Sequence, residues 1–264
     1  MLVKNTLIKI KKKILGEKRI KIYSDDTFLV GFPKSGNTWL QFQLACLLTD
    51  DFHQVDYDTI HRYVPDSHYI DNKGLKAIKR PRVIKSHLSY TSRFPRVIYI
   101  ARDPRDVAIS FYYHMLKMRM ISQDLGLNSF IEQFVKGKVG SYGSWSEHVN
   151  GWMNHALDPG DFTVVKYEDL HLRNFSILKD LAMYIGVEKS DKEISGIIEH
   201  CSFGKMSKME KEHVLSHDVF SKSRDDIDFV RKGKSGGWMD ELSDESIELI
   251  VANFSDPMTK LGYL

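Results

Sequence analysis

The chain has 264 residues, 42% of them hydrophobic and 28% charged, with no low-complexity tract and no repeat of fixed period, which excludes disordered, collagen-like and solenoid architectures. A net charge of +3 is too small to argue for a nucleic-acid partner, and none is expected. The two cysteines, Cys46 and Cys201, have the spacing of neither a zinc site nor a disulfide framework and fit a reducing, cytoplasmic setting.

The first 22 residues carry eight Lys and Arg residues against one Glu. A basic leader is expected over residues 1–24, followed by one domain over 25–264. Leu7, Ile10 and Ile14 fall at helical spacing, so one reading is an amphipathic helix at a membrane surface. The commoner fate of such a stretch is a solvated leader. No run approaches the roughly 18 apolar residues of a bilayer span, so no transmembrane segment is expected.

The first strand is expected over Thr27–Phe32, and it runs into Gly31-Phe32-Pro33-Lys34-Ser35-Gly36-Asn37-Thr38-Trp39, which opens a helix expected over Thr38–Leu48. Strand, glycine loop and helix start form a phosphate cradle, because the first backbone N–H groups of a helix lack intrahelical partners and its dipole attracts anions. The spacing of Gly31, Gly36 and Thr38 matches a nucleotide-triphosphatase P-loop, but Asn37 stands where that loop has its lysine, and Lys34 lies mid-loop instead. Further strands are expected over Arg82–Lys85, Arg96–Ile100 and Phe162–Lys166. All four are near-continuously apolar, the pattern of strands buried on both faces in a parallel sheet. Helices are expected over Pro104–Met118, Tyr142–His155, Phe175–Ile185, Asp191–His200 and Ser246–Phe254, with Asp103, Ser243 and Gly186 as caps. The implied fold is α/β, a single P-loop-like domain whose central parallel sheet carries helices on both faces. Residues 202–237 show little regular signal and read as a functional loop or lid.

Beyond the glycine loop, Lys85-Ser86-His87-Leu88 places a histidine just past a parallel strand, where open α/β sheets bind ligands and where an imidazole can take a proton from an attacking hydroxyl or amine. Lys85 shares a strand face with His87 if the strand persists. Arg102 ends another strand, with a fork that can bind two phosphate oxygens, and Ser110 follows on the next helix. Asp103 or Asp106 is the competing partner for Arg102.

The segment Pro33 to Trp39 resembles the 5′-phosphosulfate loop of the cytosolic-type sulfotransferases (sulfotransferase type 1 domain), which usually have Thr at the position of Asn37. Lys85-Ser86-His87-Leu88, Tyr99 to Ser110 and Phe229 to Trp238 resemble further motifs of that family in the same order. The resemblance implies a 3′-phosphoadenosine 5′-phosphosulfate (PAPS) donor, 3′-phosphoadenosine 5′-phosphate (PAP) as product, no required metal and a small-molecule acceptor. It implies catalytic roles for His87 as general base and for Lys34 and Lys85. The 5′ side of the nucleotide falls to Lys34, Ser35, Gly36, Asn37 and Thr38, and the 3′-phosphate to Arg102, Ser110, Val230, Arg231, Lys232 and Gly233. The adenine pocket falls to Trp39, Tyr167, Ser202 and Phe203. Cys201, Gly237 and Met239 depart from the family pattern, and the family's dimer motif is absent around Met239 to Glu248, which leaves a monomer or a dimer of another kind. Competing readings are a P-loop kinase, opposed by Asn37 and Arg102, and a non-catalytic nucleotide-binding module, for which His87 and Lys85 would be superfluous. Stretches 53–79, 112–142 and 205–229 are candidate acceptor walls.

Overall fold

The computed structural model describes residues 20–155, 160–213, 224, 226, 227 and 233–264. The expected leader falls mostly outside them, but Ile20 is buried in the core and the Lys21 amide donates to Asn72 Oδ1, so residues just before 25 already pack on the domain.

Four parallel strands, β1 (Thr27–Val30), β2 (Val83–Ser86), β3 (Arg96–Ala101) and β4 (Phe162–Lys166), form one sheet in the order β2-β1-β3-β4. Thr27 stands opposite Val83 on one side and Arg96 on the other, and Val97 opposite Phe162. Leaving β1, the chain goes first to one neighbour and then to the other. The carboxyl end of β1 is therefore a topological switch point, the place where such sheets open a ligand crevice.

In chain order the helices are α1 (Asn37–Leu47), α2 (Ile60–Tyr63), α3 (Asn72–Ala77), α4 (Pro104–Lys117), α5 (Leu127–Val135), α6 (Trp145–Asn154), α7 (Tyr167–Tyr184), α8 (Asp191–His200), α9 (Phe203–His213), α10 (Trp238–Glu241) and α11 (Asp244–Lys260). Because successive strand residues face opposite ways, Phe28, Val30, Ile84, Val97 and Tyr99 pack on one side with α4, α5, α6 and α11. Leu29, Val83, Ile98, Ile100 and Val165 pack on the other with α1, α7 and α8. Burying each such side chain contributes roughly 1.5–3 kcal/mol.

Local chemistry sets the boundaries. Asp103 accepts the Arg105 amide and places Pro104 at the first helical position of α4. Ser144 and Glu147 make a reciprocal capping box, so α6 starts at Trp145 rather than at Tyr142. α7 begins eight residues earlier than its apolar pattern suggests and is kinked at Arg173, while α11 continues through Pro257. β4 departs from the expectation of two buried faces: it is an edge strand, and Val164 is 39% exposed.

Residues 202–237 are not simply a loop, since α9 occupies 203–213. Its apolar stripe is thin, with Met206 buried among lysines and glutamates, which hides the helical period. The far end of the stretch is tied down by Lys117 at the end of α4, whose ammonium donates to the carbonyls of Arg224 (3.2 Å) and Ile227 (2.5 Å). Among the described residues, no helix is long and apolar enough to cross a membrane.

Candidate active site

The loop between β1 and α1 turns on two left-handed residues, Lys34 (φ 72°) and Gly36 (φ 97°). At Gly36 a side chain is excluded twice over, since a Cβ would also lie 2.5 Å from the Tyr167 ring. Lys34 holds the same backbone region with a side chain, at a cost of about 1 kcal/mol. Asn37 is buried and turns inward, donating its amide to the Phe32 carbonyl at 2.9 Å, so its side chain braces the loop. Ser35 Oγ is buried without a hydrogen-bond partner, and Thr38 lies in the first turn of α1.

Past the end of β2, His87 Nδ1 lies 2.8 Å from the Gly31 carbonyl. A carbonyl only accepts, so Nδ1 carries the proton and Nε2 keeps the lone pair of a base. Burial, together with the Lys85 charge, pushes the His87 imidazole down to about 3, against the opposing pull of Asp66 and of the Gly31 bond. Burial, Arg102 and Lys85 push the Lys34 ammonium down to about 7, with Glu210 on α9 opposing. Both residues keep some contact with solvent. Lys85 is buried and its Nζ lies 3.3 Å from Asp66 Oδ2.

Arg102 follows β3 and lies over the Tyr167 ring, 4.2 Å from its centroid. Its guanidinium donates to the carbonyls of Lys34 (3.4 Å) and Lys234 (3.0 Å), and its Nη2 is 3.9 Å from Asp106 Oδ2. The competing partner suggested by sequence is thus present, but it leaves Arg102 Nε buried and unbonded. Asp106 also accepts the amides of Gly236 (2.8 Å) and Trp238 (3.0 Å), so it pins the chain beyond Gly233 to the start of α4. Burial raises the Asp106 carboxyl against the pull of Arg102 and these two amides. Ser110 is half-buried nearly two turns into α4.

An open pocket beside α1 is lined by Trp39, Tyr167, Cys201, Phe203 and Gly233. The Trp39 indole N–H donates to the Cys201 carbonyl at 2.8 Å, and Ser202 directly precedes α9. Gly233 has φ 57°, and a Cβ there would run into the Phe203 ring at 2.1 Å. Val230, Arg231 and Lys232 lie outside the described residues. Tyr57 and Met206, from two of the stretches expected as acceptor walls, line this same pocket, as does His171, which the sequence reading did not single out. His171 had a readable signal: it is four residues after Tyr167 on one helix face, and the two rings are 4.9 Å apart. The stretch 112–142 is less an acceptor wall than expected, because Phe130, Ile131 and Phe134 are core residues, while Tyr142 stands 5.9 Å from the His87 ring.

Ser35 Oγ and Arg102 Nε are buried polar atoms without a hydrogen-bond partner, and Trp39, Tyr167 and Phe203 give the neighbouring pocket flat apolar walls.

Residues 24–262 match the family model described as "Sulfotransferase domain". A 3-beta-hydroxysteroid sulfotransferase of Cavia porcellus is 31% identical over 86% of this chain and 82% of its own length. An amine sulfotransferase of Oryctolagus cuniculus is 28% identical over 90% of this chain and 82% of its own. In fold, the chain is similar to retinol dehydratase, whose crystal structure holds androsterone and the inactive cofactor PAP, with a TM-score of 0.74 and 20% identity over 95% of this chain and 85% of that one.

Proposed function

Since the chain belongs to the sulfotransferase family and is an enzyme of that class, we propose that it moves a sulfuryl group from PAPS to a hydroxyl or amine of a small-molecule acceptor, with His87 as the general base. The observation that carries the reading is the bond between His87 Nδ1 and the Gly31 carbonyl, which ties the base to the first residue of the phosphate loop and aims its lone-pair nitrogen away from it. The two relatives named for a hydroxysteroid and for an amine leave both acceptor chemistries in play.

In this reading the acceptor's proton passes to His87 Nε2 as the acceptor heteroatom bonds to sulfur, and the bond from sulfur to the bridging oxygen breaks in line, releasing PAP. Lys34 and the loop amides hold the 5′-phosphate and the charge that gathers on the bridging oxygen. Lys85 faces the sulfuryl oxygens. Arg102, Ser110 and the Arg231 to Gly233 stretch hold the 3′-phosphate, while Trp39, Tyr167, Ser202 and Phe203 hold the adenine. Cationic side chains supply the charge stabilisation, and the reading needs no metal ion. The two thiols, both unbridged, suit a reducing compartment.

The test is transfer of labelled sulfate from PAPS to a library of phenols, alcohols and amines by the parent and by His87→Ala. The variant should lose turnover by about 10² to 10⁴ while binding PAP within a few-fold of the parent. A variant that keeps more than a tenth of parent turnover removes His87 from the mechanism.

A further inference from the structure

Pro65 to His68 run beside the end of β2 and add a short parallel bridge to it. The Lys85 amide donates to the Pro65 carbonyl at 2.8 Å, and the Ser67 amide donates to the Lys85 carbonyl at 2.9 Å. This bridge sets Asp66 directly against Lys85, two residues before His87. The carboxylate is buried and engaged at both oxygens: Oδ2 faces Lys85 Nζ at 3.3 Å, and Oδ1 accepts from the His68 amide at 2.9 Å and lies 3.2 Å from His68 Nδ1. The His68 ring is in turn 6.0 Å from the His87 ring and 6.2 Å from Tyr142.

We propose that Asp66 is a positioning residue for sulfuryl transfer, which holds the Lys85 ammonium beside His87. The inference rests on the roles given above to Lys85 and His87. A contrast within the molecule separates this pair from a purely structural one. Asp26 and Arg82 form the buried ion pair that fastens the sheet, a two-pronged contact at 2.8 and 2.6 Å. A rigid fork is what a fixed strut needs. The Lys85 contact is single and longer, made by a side chain with a rotatable head. Buried ion pairs are weak stability devices in any case. A lysine tethered at one point, next to the base and within electrostatic reach of Lys34, suits a charge that must be held in place and still turn toward substrate oxygens. Burial alone would raise the Asp66 carboxyl, but Lys85 and the His68 bond outweigh it and keep it well below the usual carboxylate range, so it stays an anion through neutral pH.

The experiment is a double-mutant cycle of Asp66→Asn and Lys85→Met, with kcat, KM and PAP affinity measured for all four proteins. Asp66→Asn should lower kcat at least tenfold and leave PAP affinity within about threefold, since Asp66 acts through Lys85 and not on the nucleotide. In the Lys85→Met background the same change should cost less than twofold. Equal losses in both backgrounds, or no loss in either, would overturn the proposal. Should Asp66→Asn fail to fold because it strands a buried ammonium, the double variant, which has neither charge, still decides the matter: kcat matching that of Lys85→Met supports the proposal, and a further tenfold loss refutes it. A parent protein without transferase activity would sink the reading of the reaction but leave a second measurement intact, the rate at which an amine-reactive anhydride labels Lys85, followed by mass spectrometry. Asp66→Asn should raise that rate several-fold, and an unchanged rate would show that Asp66 does not hold Lys85.

Discussion

The loop after β1 and the Arg102 side of the cleft, the two anion sites of the proposed function, are built in opposite ways. The first is a run of consecutive residues, Gly31 to Trp39, shaped by two left-handed residues and a helix start. The second is gathered from β3, α4 and the stretch beyond Gly233, held together by one carboxylate that competes for the arginine it positions. A contiguous cradle keeps its shape if a side chain is lost. An assembled one depends on its tie, and the tie is Asp106.

Of changes that set the two sides against each other, removing the one charged side chain of the cradle should produce the largest effect. Lys34→Ala is expected to cost about 10² to 10³ in kcat/KM, as for a lost donor to developing charge, and to weaken PAP by about tenfold. Initial rates and calorimetry check both; a change confined to affinity would make Lys34 a binding group alone. On the assembled side, Asp106→Ala frees the Gly236 and Trp238 amides and should weaken PAP about tenfold while leaving AMP, which lacks the 3′-phosphate, nearly unchanged. Equal losses for both nucleotides would show that Asp106 supports the whole domain rather than one end of the site.

The smallest effect separates the two sides by pH. The Lys34 ammonium sits at about 7 in the ligand-free protein, and an arriving phosphate favours its charged form, so PAP binding should take up close to one proton at pH 8 and almost none at pH 6. Affinity accordingly falls as pH rises above 7, by at most about tenfold per unit. Calorimetry in buffers of unequal ionisation enthalpy reads the proton count. A Lys34→Ala variant should show no uptake.

The same contrast explains what the sequence made legible. Continuous apolar runs placed the four strands within two residues, and the loop after β1 could be read whole because its chemistry is local. α5 lies outside the expected helices although Leu127, Phe130, Ile131, Phe134 and Val135 repeat at helical spacing, because this run of nine residues is short and its aromatic residues suit a pocket wall as well as a core. α9 was hidden by its lysines. Asp66 and Asp106 were legible as residues but not as ties, because their partners at Lys85, Gly236 and Trp238 lie far along the chain. The nearness of Cys46 and Cys201, whose sulfurs are 3.8 Å apart, is likewise a product of α1 packing on α8 and has no trace in spacing.

The bond from the Trp39 indole to residue 201 ends on a main-chain carbonyl rather than on the cysteine side chain. Every amino acid offers that acceptor, so the tilt of the indole, and with it one wall of the pocket, is inherited independently of what stands at 201. The position can therefore take another small side chain in place of the thiol without disturbing the tryptophan. Residue 201 acts on the pocket through the path of the chain, and substitutions that shift that path, such as proline or a bulky aromatic, are the ones that would move the indole.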